Sequence, residues 1–147
     1  GIQLGRRFRA LKAWMIWRAF GREGILALMR EHLRLARLFS EWVTTSDDFE
    51  LSAPVSMGVV CFRFVRSVAG VVDAGPRSPT AITMNHDLDA LNSAIVESIN
   101  QSGRAYLNQT KLRGQTVIRL GLGNILTTEK HLRAAWELIQ ETAQSLG

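Results

Sequence analysis

Apolar residues recur at helical spacing in four stretches of the chain and alternate at strand spacing between them, and these two periods predict its elements. A first helix is expected over 6–20, stopping at Gly21. A second is expected over 22–43, with Ile25, Leu28, Met29, Leu33, Ala36, Phe39 and Trp42 turned inward. The polar run Thr44-Thr45-Ser46-Asp47-Asp48 breaks that period. Residues 49–51 suit a short edge strand limited by Pro54, while 59–65 are rich in β-branched and aromatic side chains and predict the strongest strand. Glycine, proline, serine and threonine through 66–85 predict a long loop. A third helix should begin after Asn85 or His86, bury Leu88, Leu91, Ile95 and Ile99, and end near Ser102-Gly103. Two strands, 105–110 and 115–122, flank a turn at Arg113-Gly114, and a last helix follows Thr127 or Thr128, either a suitable N-cap. Its stripe of Leu132, Ala135, Trp136, Ile139, Ala143 and Leu146 is the most regular in the chain.

This order predicts an α+β fold (an α/β sandwich): a small, mostly antiparallel sheet of roughly three to four strands with helices on one face. No repeat or linker divides the 147 residues, so a single domain over 1–147 is expected. The first helix departs from the usual surface pattern. Between Ala10 and Phe20 only Lys12 and Arg18 are charged, and Trp14, Met15, Ile16, Trp17 and Phe20 surround the axis. A helix apolar on all sides is buried in something larger, so 1–21 is expected to be an internal piece of a bigger assembly. Left bare, it would drive association into dimers or higher oligomers.

Composition sharpens this picture. With 46% hydrophobic and 21% charged residues the chain can bury a core. One cysteine, Cys61, allows no internal disulfide, which fits a reducing, cytoplasmic setting. No apolar run reaches the roughly 20 residues of a membrane span, and no signal-peptide pattern opens the chain. The net charge of +5 is uneven: residues 1–37 hold nine Lys/Arg against two Glu (+7), and the remainder is −2. A nucleic-acid binder more often spreads cations over one face. Here the basic excess, with Arg6, Arg7, Arg9 and Lys12 crowded together, suits pairing with an acidic protein surface, and neither nucleic acid nor membrane is the expected partner.

Candidate chemistry is sparse. Alternation along the fourth strand turns Ile118, Leu120 and Leu122 to the core and Val117, Arg119 and Gly121 to the other face; the second strand likewise separates Val60, Phe62 and Phe64 from Cys61 and Arg63. Two guanidiniums therefore lie on the face away from the helices, suited to a carboxylate or phosphate, unless solvated or held in structural ion pairs. His32, His86 and His131 lack zinc-ligand spacing and suit helix-surface or cap roles, so no metal site is expected. Gly121-Leu122-Gly123 lacks the third glycine of a dinucleotide loop. Lys12, Lys111 and Lys130 show no apolar setting for Schiff-base chemistry, and the chain has no complete catalytic set.

The run I-Q-L-G-R-R-F-R-A-L-K-A-W, then Phe20-Gly21-Arg22-Glu23-Gly24, V-S-M-G-V-V-C-F-R-F, L-R-G-Q-T-V-I-R-L-G-L-G-N and Thr127-Thr128-Glu129-Lys130-His131-Leu132 resemble, in order, the group II pyridoxal-phosphate-dependent amino-acid decarboxylases, particularly the aromatic-L-amino-acid type. The resemblance covers the chain except for 66–85. It implies the C-terminal small domain of a fold-type I enzyme, with 1–21 as an interdomain or dimer-contact helix. The Schiff-base lysine and the groups gripping pyridoxal 5'-phosphate would belong to an absent large domain, so this chain would be inactive alone and bind no cofactor itself. The implied partners are that large domain, a second subunit of a homodimer and an L-amino-acid substrate. Gly5, in L-G-R-R, matches a glycine near the partner's cofactor site, and Arg119 matches an arginine turned toward a substrate carboxylate. Two other readings are a stand-alone non-catalytic assembly protein and a basic module binding nucleic acid or another anion.

Overall fold

Phe39, Phe49, Phe62 and Trp136 come from four separate elements and meet in one aromatic cluster, with ring centroids 4.9–6.3 Å apart. The computed structural model that shows this describes residues 8–65 and 79–147, without the side chains of 79–86. Its elements are α1 (Arg9–Thr44), β1 (Phe49–Leu51), β2 (Val59–Phe64), α2 (Pro79–Ser102), β3 (Asn108–Leu112), β4 (Gln115–Gly121) and α3 (Glu129–Leu146). The strands form one antiparallel sheet in the order β1-β2-β4-β3. Val60, Phe62, Phe64, Ile118 and Leu120 turn one face of it toward Leu35, Ala36, Phe39 and Val43 of α1, Ile95 and Ile99 of α2, and Leu132, Trp136 and Ile139 of α3. This is the expected α+β architecture.

The expected pair of helices is present within α1, meeting at a kink at Gly21, whose φ of 62° and ψ of 179° lie where essentially only glycine goes. Two details differ from the sequence pattern. α2 begins at Pro79, inside the span expected to be loop; proline suits a first helical turn, where its missing N–H has no partner to lose. The rest of that loop, 66–78, lies outside the described residues. Finally, Met29 and Leu33, placed on the inward stripe of the second helix, remain exposed, while Leu35 and Val43 complete the core.

Two asparagines of α2, about two turns apart on one side of the helix, finish the sheet. Phe64 N–H donates to Asn92 Oδ1 (2.8 Å), and Asn92 Nδ2 donates to the carbonyls of Phe64 (3.0 Å) and Leu88 (2.8 Å). Leu107 N–H donates to Asn100 Oδ1 (2.7 Å), and Asn100 Nδ2 returns a bond to the Leu107 carbonyl (2.9 Å). Each amide thus imitates a neighbouring strand where the ladder stops. The need is plain: backbone polar groups left unpaired inside a fold are costly. β3 and β4 turn through Arg113 and Gly114, both at positive φ, as a two-residue hairpin requires. α3 starts at Thr128, whose N–H donates to His131 Nδ1 (3.2 Å), so this histidine caps a helix.

Candidate functional site

Register sets the chemistry of the sheet face opposite the aromatic cluster. Cys61 of β2, Arg119 of β4 and Asn108 of β3 are direct cross-strand partners, which places their Cβ atoms about 5 Å apart in one row. Arg119 is exposed, and its guanidinium forms no hydrogen bond or ion pair among the described residues. Beside it Gly121 leaves open space where a Cβ would stand. A free, planar set of N–H donors next to an open floor can take a carboxylate or phosphate in two parallel bonds.

Arg63, which the sequence pattern treats as equivalent, has another role. It is only 1% exposed, and Nη2 reaches Asp89 Oδ1 of α2 at 3.3 Å. The same oxygen accepts the Thr116 N–H at 2.8 Å, so Asp89 holds β2, β4 and α2 together at the end of the sheet. Arg63 is therefore the structural ion pair of the two sequence alternatives, and its buried Nε has no partner. Arg119 alone of the two faces solvent. The pattern places Asp89 at the start of the third helix, where its charge suits the helix end, and does not reveal its bond to Arg63; Asn92 and Asn100 are not distinguished at all. The available signal was two asparagines interrupting the apolar stripe of α2.

The other candidates are soon placed. Gly5 lies outside the described residues, as does the side chain of His86. His32 Nε2 donates to the Asn124 carbonyl (3.1 Å), tying α1 to the β4–α3 connection. Among the described residues no group of three His, Cys, Asp or Glu side chains is close enough to hold a metal ion. A concavity of about 580 Å³ between α2 and β3 is lined by Ser93, Glu97, Asn100, Tyr106 and Asn108 and by no lysine, histidine or cysteine. Lys12, Lys111 and Lys130 are all exposed, on α1, β3 and α3. A lysine that binds an aldehyde cofactor needs an enclosed, charge-depressing pocket, so the described residues do not fit pyridoxal phosphate by themselves. No helix of the described residues is long and apolar enough to cross a membrane.

The fold is thus an antiparallel four-stranded sheet with its helices on the aromatic side and one exposed guanidinium, that of Arg119, on the other face. The model of the pyridoxal-dependent decarboxylase conserved domain matches residues 1–65. The chain is 36% identical to phenylacetaldehyde synthase of Arabidopsis thaliana over 145 residues, covering 99% of this chain and 27% of that protein. It is equally similar (36% over 148 residues, the same coverage) to tyrosine decarboxylase 1 of Narcissus pseudonarcissus. Among solved structures, Oryza sativa TDC with PLP and tryptamine superposes with a TM-score of 0.78 at 34% identity, covering 99% of this chain and 29% of that one. In sequence and fold the chain is similar to the C-terminal part of the group II pyridoxal-dependent decarboxylases, and it spans about a quarter of the length of the relatives it matches.

Proposed function

We propose that the chain serves as the C-terminal small domain, over 1–147, of a fold-type I, pyridoxal-phosphate-dependent L-amino-acid decarboxylase that works as a cytoplasmic homodimer. The observation that carries this reading is the match of 99% of the chain to about a quarter of enzymes named for aromatic amino acids or their aldehydes. Residues 1–21 form the interdomain or dimer contact, which gives the bare tryptophans of α1 a place to be buried. Gly5 approaches the cofactor site of the partner subunit. The cofactor, held by residues outside this chain, supplies the electron-withdrawing ring.

Arg119 lies at the edge of the substrate cleft. A tight grip on a departing carboxylate stabilises the ground state more than the transition state, which opposes catalysis. Arg119 therefore positions the substrate, or orders the cleft, instead of promoting bond cleavage. In the full-length enzyme Arg119→Met is expected to raise KM for an aromatic L-amino acid about tenfold, the scale of one charge-assisted hydrogen bond. Unchanged kcat and KM would remove Arg119 from the site. The 147-residue chain alone should release no CO2 and develop no pyridoxal absorbance with added cofactor. If it does either, the reading of an accessory domain is wrong.

A further inference from the structure

The connection between β1 and β2 ends in a turn whose geometry does not suit its sequence. Val59 N–H donates to the Ser56 carbonyl (2.9 Å), with Met57 at φ 50° and Gly58 at φ 74° between them. Two successive positive φ values ask for Asn-Gly or Gly-Gly. Gly58 meets that demand, and a Cβ there would stand 3.2 Å from the Leu122 carbonyl oxygen. Met57 does not: its Cβ pays the left-handed penalty with no polar side chain to offset it. The turn cannot drift, because Leu122 N–H donates to the Gly58 carbonyl (2.8 Å) and fastens it to the end of β4. The strained residue is also among the most exposed apolar ones, at 77%.

Met57 lines a cleft of about 180 Å³ that it shares with Met29 and Leu33 of α1, Gly58, Leu122 and His32, with no Lys, Arg, Asp or Glu in the lining. Ile125 and Leu126, just beyond Leu122, are exposed as well. Charge lies beside this patch: Arg34 bonds Glu31 (2.8 Å) and reaches Glu129 at the start of α3 (3.5 Å). An apolar centre with a polar border is the anatomy of a protein interface.

We infer that Met57 anchors a docking patch, Met29–Leu33–Met57–Leu122–Leu126, for the catalytic remainder of the same enzyme; this rests on the proposed reading of the chain as one domain of a decarboxylase. That occupant is selected over a second copy because the chain accounts for only 27% of the length of its relatives. Leu122 directly follows β4, the strand that carries Arg119 three residues or about 10 Å away, so docking here sets the position of that strand end.

Methionine oxidation by peroxide tests this without any need for activity, since accessible thioethers oxidise first. Met29 and Met57 should oxidise readily in the 147-residue chain and at least about tenfold more slowly in the full-length enzyme. Equal rates in the two proteins would overturn the proposal. So would protection that appears in the 147-residue chain on raising its concentration, which assigns the patch to a second copy. Met57→Gly should leave the melting temperature of the chain unchanged or higher, because relief of the left-handed strain offsets glycine's entropy. In the full-length enzyme the same change should accelerate Met29 oxidation several-fold; unchanged Met29 protection removes Met57 as the anchor. A full-length protein that protects both methionines yet decarboxylates nothing refutes the functional reading and leaves the docking patch standing.

Discussion

The two halves of α1 are both rich in large apolar side chains and meet opposite fates. Beyond the kink at Gly21, Leu35, Ala36, Phe39 and Val43 are fully buried against the sheet and α3. Before it, Trp14 and Trp17 are 60% and 58% exposed, and Leu11, Met15, Ile16 and Phe20 are also uncovered. Helical hydrogen bonds form in both halves, so they cannot explain the contrast. It comes from which apolar surfaces find a partner among the described residues: the second half has the sheet, while the first has, of these, only Arg18 lying 5.9 Å from the Trp14 ring centre. Apolarity along a helix therefore does not secure burial by itself; a facing surface within reach decides it.

The sharpest way to break this contrast is to cut matched side chains from each half. Phe39→Ala removes a ring packed 5.4 Å from both Phe62 and Trp136, and should cost about 3–5 kcal/mol in urea unfolding. Trp17→Ser should change the same measurement by under about 0.5 kcal/mol, because little is buried around it, yet reduce self-association seen by sedimentation. A comparable loss of stability from both would erase the distinction.

Next in size is the clasp that closes the sheet. Asp89→Ala leaves the Arg63 guanidinium buried without its carboxylate, and about 3 kcal/mol of destabilisation is expected. Adding Arg63→Met should restore most of it, since an apolar side chain of similar length needs no partner. Asn92→Ala, which strands the N–H and C=O of Phe64, should cost about 2 kcal/mol, and hydrogen exchange at Phe64 should accelerate.

The smallest expected effect is electrostatic. The Arg34 guanidinium, hydrogen-bonded to Glu31, holds that carboxyl below its ordinary value, with His32 adding in the same direction. Glu31 therefore contributes its stabilisation above the unfolded carboxyl pKa of about 4.3, and loses it as pH falls through the lower folded value. Arg34 shifts upward for the same reason and stays charged throughout. Both groups face solvent, so salt should screen the effect. Glu31→Gln should flatten the acid limb of a stability-against-pH curve slightly while leaving the neutral plateau in place.

Much of the fold was legible in the residues because local chemistry specified it. Alternation in β2 and β4, the glycine at the hairpin, the threonine cap of α3 and the Gly21 break each follow from period or backbone preference. The face of Arg119 was legible for the same reason, since strand geometry sends neighbouring side chains to opposite sides. Arg63 shares that alternation with Arg119, and period alone could not tell them apart. What separates them is Asp89, which arrives from 26 residues further along the chain. Met29 and Leu33 likewise continue an apolar helical stripe, but among the described residues no element covers their cleft.

By itself, the sequence determined the elements, the sheet face of each strand residue and the presence of a helix too apolar to stand alone, because these depend on contacts within a turn or a strand. Tertiary structure decided that Arg63 is a structural anchor while Arg119 stays free, that two asparagines complete the strand ends, and that a strained methionine guards an unfilled apolar cleft. Those outcomes depend on which distant side chains meet, and meeting is a property of the packed chain and not of any segment of it.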